Sequence, residues 1–286
     1  MASDNRFAVL IDADNVSVKY IKIILDEISK DGIATYKRIY GDWTNPSLIS
    51  WKSTLLDNSI IPVQQYSYTT GKNSTDSAMI IDAMDILYSG RVEGFCLVSS
   101  DSDFTRLAAR LRESGMTVIG MGESKTPNSF IAACNKFKYL DILSAADEAE
   151  AEEAAPKAEP AKKPAAQPKK TAQKAAAKKP KEEPKAEKEP KPAEPKKQQE
   201  KAIEEPRTSQ RTIRRALRTI VRENSDEDNW IMVSQVGNLL DKRYTDFDVR
   251  NFGFSKLTPF LESLDMFEIK DMKKDSSSPQ KYVRLK

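Results

Sequence analysis

Short runs of consecutive apolar residues alternate, in the N-terminal half of the chain, with segments whose apolar residues recur every three to four positions. The runs at 7–12 and 94–99 predict strands that are buried on both faces, as in a parallel sheet. Pro62 has no N–H to donate, which places a shorter strand at 60–66 near an edge. Further strands are predicted at 34–40 and 117–121, and helices at 18–29, 46–56, 75–89, 103–114 and 130–137. Strands that alternate with helices indicate an α/β fold, a mainly parallel sheet with helices on both faces.

The C-terminal segment has a different pattern, which predicts a small α+β domain at 207–286. Helices are predicted at 212–224, 232–240 and 255–264, and strands at 267–271 and 282–285. Three helices followed by a hairpin with a basic tip are typical of a winged helix.

The two patterned regions, 1–144 and 207–286, are separated by residues 145–206, which are mostly Ala, Lys, Glu and Pro and include no aromatic residue. Such a composition cannot bury enough apolar surface to offset the entropy of ordering, so we predict a disordered linker. Its lysine pairs leave open a second role as a nucleic-acid tether.

The net charge of +3 conceals a difference between the two domains. The N-terminal domain is slightly acidic, whereas the C-terminal domain is basic and is expected to meet a polyanion. The chain has no histidine, which excludes histidine metal sites, a Ser-His-Asp triad and a histidine general base.

The cysteine content and the N-terminal residues indicate the cellular compartment of the protein. Cys96 and Cys134 lie in apolar surroundings and are predicted to be free, buried thiols, as in a reducing compartment. The first residues have no apolar signal-peptide core, and the chain has no apolar run of about 18 residues. These features predict a soluble, cytoplasmic protein that has no membrane partner.

Acidic residues stand where the predicted strands end. Asp12 and Asp14 close the first strand, Asp101 and Asp103 follow the strand at 94–99, and Asp76 heads the helix at 75–89. The carboxyl ends of parallel strands form the edge at which ligands bind. Converging carboxylates repel each other unless a cation lies among them, and Mg²⁺ takes oxygen ligands. We therefore predict that Asp12, Asp76 and Asp101, with Asp103 next, bind Mg²⁺ or Mn²⁺ for phosphodiester hydrolysis.

Neighbouring polar residues are candidates for supporting roles at this edge. Asp14 and Asn15 could orient or assist the reacting groups, Lys72 could contact a phosphate, and Ser99 and Ser100 could donate to a phosphate oxygen.

A structural explanation stands beside the functional one for each acidic residue. An aspartate at the start of a helix is often an N-cap, which fits Asp103 and Asp76 taken singly. Asp82 and Asp85 are predicted on the solvated side of their helix, although Asp82 could be a more distant ligand.

Candidate phosphate contacts in the C-terminal domain are basic residues on or near its helices. A solvated basic surface is the alternative for any one of them. They are Arg214, Arg215, Arg218, Lys256 and Lys273.

Three motifs in a fixed order carry a resemblance to a known family. VLIDADN, KNSTDSAMIIDAMDIL and CLVSSDSDFTRLAARLRESGMTVIGMG resemble the NYN domain, a PIN-like nuclease group that includes the bacterial LabA-like proteins. The resemblance covers about residues 5–143 and implies a PIN-like, Rossmann-like fold and metal-dependent ribonuclease activity. It also implies that the site residues are Asp12, Asn15, Asp76, Asp101 and Asp103.

The C-terminal segment resembles an OST-HTH domain, also called LOTUS, over about residues 209–286. IRRALRTIV, VSQVGNLL, FGFSKLTPFLESLDMFEI and KYVRLK carry this likeness, which implies RNA binding. NYN joined to OST-HTH is an arrangement known in bacteria, so each resemblance supports the other.

Three functions fit these observations. The first is a Mg²⁺- or Mn²⁺-dependent endoribonuclease whose C-terminal module recruits RNA, and the second is an RNA-binding adaptor that does not cleave. The third is a haloacid dehalogenase-like phosphatase, because Asp12 to Val16 fits its Asp-x-Asp-x-Val motif, although room for the usual flap insertion is lacking. The sequence leaves a homo-oligomer open.

Overall fold

The structure is a computed structural model that describes residues 5–66, 74–154, 208–272 and 279–286. Residues 155–206 of the predicted disordered linker at 145–206 lie outside these ranges, as do Lys72 and Lys273.

The N-terminal domain alternates strands and helices, as the sequence pattern predicts. Short 3₁₀ turns lead into the first, second and fourth helices. The elements are β1 (Arg6–Asp12), α1 (Ile21–Asp31), β2 (Ile33–Gly41), α2 (Trp51–Asp57), β3 (Ile61–Gln64), α3 (Ser74–Ser89), β4 (Gly94–Val98), α4 (Thr105–Glu113), β5 (Thr117–Gly122), α5 (Asn128–Ala133), β6 (Lys136–Tyr139) and α6 (Leu140–Ala154).

The six strands form one sheet in the order β3-β2-β1-β4-β5-β6, and every neighbouring pair is parallel. This confirms the predicted α/β fold and places the strand that contains Pro62 at an edge. The strand order reverses between β1 and β4. In doubly wound sheets this reversal opens a crevice at the carboxyl ends of the two strands, where ligands bind.

Both faces of the sheet are buried at its centre, which explains why β4, and β1 from Phe7 to Ile11, are apolar throughout. Phe7, Val9 and Ile11 of β1 pack into the cluster that includes residues of α1 and α2. Ala8 and Leu10 point to the other face and join residues of α3, α4 and α5. The alternation along one strand therefore supplies both layers of the core.

The predicted helix at 130–137 is partly wrong. Helix α5 ends at Ala133, and the chain then enters β6. Asn135 turns the chain into the sheet, because its N–H donates to the carbonyl of Val118 at 2.8 Å and its side chain accepts from the N–H of Val118 at 2.8 Å. Helix α6 extends to Ala154 and so includes residues 145–154, which the composition assigned to the linker. These residues are mostly Ala and Glu, which favour helix.

The C-terminal domain has the winged-helix arrangement that the sequence predicts. An antiparallel sheet in the order β7-β9-β8 packs with three helices around a core that includes Leu217, Leu240 and Phe260. Ser209 caps the first helix by accepting from the N–H of Thr212. The elements are α7 (Gln210–Asn224), β7 (Ile231–Met232), α8 (Val233–Arg243), α9 (Leu257–Ser263), β8 (Phe267–Met272) and β9 (Gln280–Leu285).

Both cysteines are free and buried, as predicted. Burial raises the pKa of each thiol, to about 12 for Cys134. Among the described ranges, no helix is long and apolar enough to cross a membrane. The cytoplasmic location stays a prediction.

Candidate functional site

Three carboxylates meet beside the crevice where the strand order reverses. Asp76 lies in the first turn of α3, and Asp101 and Asp103 follow β4. One oxygen of each lies within 4.8 Å of one oxygen of the other two. Asp76 is 9% exposed, whereas Asp103 is open to solvent. The structure thus brings together three of the four predicted metal ligands.

The electrostatics of this cluster favour a cation. Burial, followed by the negative charges of Asp12, Asp101, Asp103 and Asp14, raises the pKa of Asp76 to about 6. The charged form of such a carboxylate is disfavoured by burial and by the neighbouring negative charges, and a divalent cation beside it stabilises that form. An all-oxygen set of carboxylates fits the hard cations Mg²⁺ and Mn²⁺.

Asp12, the fourth predicted ligand, is outside this group of three. It is fully buried, and its Oδ1 accepts from the N–H of Asp14 at 3.1 Å. Its Oδ2 accepts from Asn15 Nδ2 at 2.7 Å and from Ser99 Oγ at 2.8 Å. Burial raises the pKa of Asp12, and the hydrogen bonds from Asn15 and Ser99 oppose that rise. These contacts also weigh against the phosphatase alternative, because a nucleophilic aspartate needs an accessible oxygen.

Ser99 connects Asp12 to the cluster. Its buried hydroxyl donates to Asp12 and accepts from the N–H of Asp101 at 3.1 Å. The sequence suggests Ser99 as a donor to phosphate, but its hydroxyl is engaged with these protein groups. The sequence indicates that Ser99 lies near the site, because it directly follows β4. Its hydrogen-bond partners, Asp12 and Asp101, are known only from the structure.

Asp101 and Asp103 differ in their structural roles. Asp101 caps the 3₁₀ turn that precedes α4, because its Oδ1 accepts from the N–H of Asp103 at 2.9 Å. The capping role suggested for Asp103 therefore belongs to Asp101. Capping fixes the backbone that carries both carboxylates, so the structural and functional explanations are compatible here.

Thr75 is a neighbour of the site that the sequence reasoning missed. Its buried hydroxyl donates to Asp14 Oδ2 at 3.0 Å, which ties the turn after β1 to the start of α3. The signal available in the sequence was its place beside Asp76.

The prediction for Asp82 is wrong, because this side chain is not on the solvated side of α3. It accepts hydrogen bonds from the Arg38 guanidinium and from the Tyr40 hydroxyl. Burial and the adjoining Asp82 carboxylate raise the pKa of Tyr40. Asp85 is exposed, as predicted. Asp82 therefore holds α3 against β2.

Five exposed arginines lie along α7, which we call the arginine face. They include the predicted Arg214, Arg215 and Arg218, to which the structure adds Arg211 and Arg222. Arg211, Arg215, Arg218 and Arg222 are spaced by three or four residues and share one side of the helix. Arg214 also donates to the carbonyl of Leu264 at 3.2 Å. Lys256 is exposed immediately before α9.

Comparison with known families assigns both domains. Residues 6–141 match the NYN domain, and residues 204–278 match the OST-HTH/LOTUS domain. NYN is a PIN-like nuclease family, and OST-HTH/LOTUS domains bind RNA. No match was found among curated proteins. A solved protein of unknown function from Vibrio parahaemolyticus RIMD 2210633 is similar, with 19% identity and a TM-score of 0.41, over 49% of this chain and 96% of that one.

Proposed function

We propose that this chain, which joins an NYN domain to an OST-HTH/LOTUS domain, is a divalent-metal-dependent endoribonuclease whose C-terminal domain recruits RNA. The observation that carries the proposal is the cluster of Asp76, Asp101 and Asp103 beside the strand-order reversal. An adaptor that only binds RNA would not need a carboxylate whose pKa is raised by burial and by neighbouring negative charges.

The residues at the site divide into holding and orienting groups. Asp76, Asp101 and Asp103 would hold Mg²⁺ or Mn²⁺ through carboxylate oxygens. When bound, the cation offsets charge on the phosphodiester and makes a coordinated water more acidic. Asp12 and Ser99 would orient Asp101 through the hydrogen bond to its N–H, and Asn15 fixes Asp12.

The arginine face would supply the attraction for RNA that an acidic site lacks. Lysine and arginine contacts to phosphates release counterions, which gives affinity without dependence on sequence. Arg214, Arg215, Arg218 and Lys256 remain the proposed contacts, together with Arg211 and Arg222. Lys72 and Lys273 are proposed contacts that lie outside the described residues.

Cleavage of a mixed pool of labelled single-stranded and hairpin RNAs tests the proposal. We expect products with Mg²⁺ or Mn²⁺ and none with EDTA. Asp76→Asn and Asp101→Asn should each lower the rate at least about 100-fold, because each removes charge from the same cation site. Asp85→Asn is the matched control, since Asp85 is exposed on the same helix as Asp76.

The outcomes separate the alternatives. Binding without cleavage under any metal would support the adaptor. Cleavage that survives both substitutions would place the activity elsewhere or in a contaminant.

A further inference from the structure

The strongest feature outside the carboxylate site is a contact between the two folded domains, which belong to one compact unit. It joins the edge strand β6 and helix α1 to the loop between α8 and α9. We call this contact the domain seam.

A bidentate ion pair between Arg250 and Glu27 lies at the centre of the domain seam. Arg250 Nη1 donates to Glu27 Oε1 at 2.7 Å, and Arg250 Nη2 donates to Glu27 Oε2 at 3.0 Å. The Glu27 side chain is 3% exposed and that of Arg250 is 21% exposed. A bidentate arginine–carboxylate pair fixes orientation as well as distance, unlike the mobile pairs of a protein surface.

Other charges surround the pair and come from both domains. Lys138 of β6 donates to Glu27 Oε2 at 2.6 Å, and Lys30 of α1 pairs with Glu27 as well. Asp248 accepts from Arg250 Nη2 at 2.6 Å, so the guanidinium lies between two carboxylates. A buried glutamate is tolerated only when its oxygens are paired, and Arg250 uses both oxygens of Glu27.

The edge strand contributes a backbone contact to the domain seam. An edge strand exposes unpaired N–H and C=O groups, which proteins commonly cover. Here the N–H of Phe137 donates to the carbonyl of Thr245 at 2.8 Å. The side chain of Phe137 packs in the core of its own domain, against Phe130 and Tyr139, so the contact of Phe137 with the loop is made by its backbone.

A third contact fixes the entry to the C-terminal domain. Asp246 is 7% exposed and accepts from the Tyr139 hydroxyl at 3.3 Å. It also accepts from the backbone N–H of Thr208, at 3.3 Å, and from the Thr208 hydroxyl. The start of the C-terminal domain, the loop after α8 and β6 therefore share one carboxylate.

We propose that the β6 edge and Glu27 form a docking site for the OST-HTH/LOTUS domain of the same chain. The ion pair between Arg250 and Glu27 would hold this domain in place, so that it is not merely tethered by the linker. The partner is defined by its chemistry, an arginine flanked by an aspartate and a loop carbonyl that reaches the sheet edge. The inference does not depend on nuclease activity, because the contacts that carry it are separate from the carboxylate site.

Single-molecule energy transfer between the two domains tests the docking. Dyes would be placed on cysteines introduced by Glu113→Cys and Asp228→Cys, two exposed positions in different domains. The native cysteines are buried and have raised pKa values, so they react poorly with the dye reagent. We expect one narrow population for the full chain.

Arg250→Glu should convert this population to a broad one, because it places a carboxylate against Glu27. Amide hydrogen exchange of the β6 segment should then become at least about tenfold faster. Arg243→Glu is the matched control, since it reverses the charge of an exposed arginine at the end of α8, and it should keep the narrow population. If Arg250→Glu fails to fold, as judged by circular dichroism, Glu27→Gln tests the same pair from the other domain without changing its size.

Three results would overturn the proposal. They are a broad population in the unmodified chain, a narrow population that persists in both Arg250→Glu and Glu27→Gln, and energy transfer between singly labelled copies, which would show that the docked domain comes from a second chain.

Discussion

At the scale of single residues, Ser99 shows how a small side chain can support several carboxylates. It is fully buried, donates to Asp12 and accepts from the N–H of Asp101. Supporting groups around metal ligands orient the ligands, and their removal typically costs about 10–100-fold in affinity or activity.

We therefore expect Ser99→Ala to lower metal-dependent RNA cleavage by about 10–100-fold and the free energy of unfolding by about 1–3 kcal/mol. The measurements are initial cleavage rates over a Mn²⁺ titration and urea unfolding. Ser89→Ala is the control, because the Ser89 hydroxyl donates to the carbonyl of Ile86 within its own helix, far along α3 from Asp76. A Ser99→Ala protein that loses stability but cleaves at the full rate would restrict Ser99 to a structural role.

The residue scale also shows what the sequence can reveal about a site. Asp76, Asp101 and Asp103 were predictable because strand ends and helix starts bring them to one sheet edge. The separate position of Asp12 was not predictable, since its burial depends on the partners Asn15 and Ser99, and the second of these lies on another strand end. Contacts between distant segments leave no pattern in a single sequence.

At the scale of elements, propensity and apolar spacing were sufficient for most strands and helices. The strand β6 was missed because four residues carry too short a pattern to distinguish a strand from the end of a helix. The hydrogen bonds between Asn135 and Val118 place this segment in the sheet, and they are a tertiary contact that the local sequence does not reveal. The same element supplies the edge of the domain seam, so the sequence alone could not predict the docking.

The arginine face of α7 is an element whose charge pattern leads to a quantitative prediction. We expect the triple variant Arg211→Glu, Arg215→Glu and Arg218→Glu to weaken RNA binding at low salt. It should also make the slope of log affinity against log salt shallower by about one unit for each phosphate that the variant no longer neutralises. Fluorescence anisotropy with a labelled hairpin RNA at several salt concentrations measures both.

The control for this experiment is Lys242→Glu, at an exposed position in the last turn of α8. It should change neither quantity by more than a small amount. An unchanged slope in the triple variant would show that RNA uses a different surface.

At the scale of the whole molecule, the domain seam changes the expected behaviour of the protein. Removing one partner of a buried ion pair costs about 3–5 kcal/mol. Arg250→Glu removes a partner of Glu27 and places a like charge beside it, so the substitution should strongly disfavour the docked state. While docked, the C-terminal domain is held at one position relative to the carboxylates.

The domain seam should also respond to acid. Burial opposes the charge of Glu27, but hydrogen bonds from Arg250, Lys138 and Lys30 lower its pKa well below the ordinary value. Arg250 is the partner that an undocked state lacks, so the undocked protein binds protons more readily. The contribution of Glu27 to docking is therefore fully present above the ordinary glutamate pKa of about 4.3, and it is lost progressively as the pH falls from there toward the lowered pKa.

Energy transfer measured from pH 7 to pH 3 checks this expectation, with circular dichroism at each pH to separate undocking from unfolding. Asp31 contacts Lys138 and Asp248 contacts Arg250, so the seam holds other carboxylates and Glu27→Gln is the necessary comparison. The glutamine variant should show a smaller pH dependence than the unmodified chain. Equal dependence in both would show that Glu27 is not the group responsible.

Docking and tethering also differ in how they depend on the linker, and this difference connects the domain seam to the proposed cleavage. For a tethered domain, the effective concentration of RNA at the site changes with linker length. For a docked domain, the position of the RNA is set by the contacts of Arg250 and Thr245, so linker length should have little influence.

We therefore expect deletion of residues 165–190 to leave the product lengths from an end-labelled hairpin RNA unchanged in the otherwise unmodified chain. The same deletion made together with Arg250→Glu should shift the product lengths, because the released domain then depends on its tether. Product lengths read on a sequencing gel provide the measurement, and Arg243→Glu with the deletion is the control. A shift in the chain that retains Arg250 would mean that the linker, not the domain seam, determines where the RNA is held.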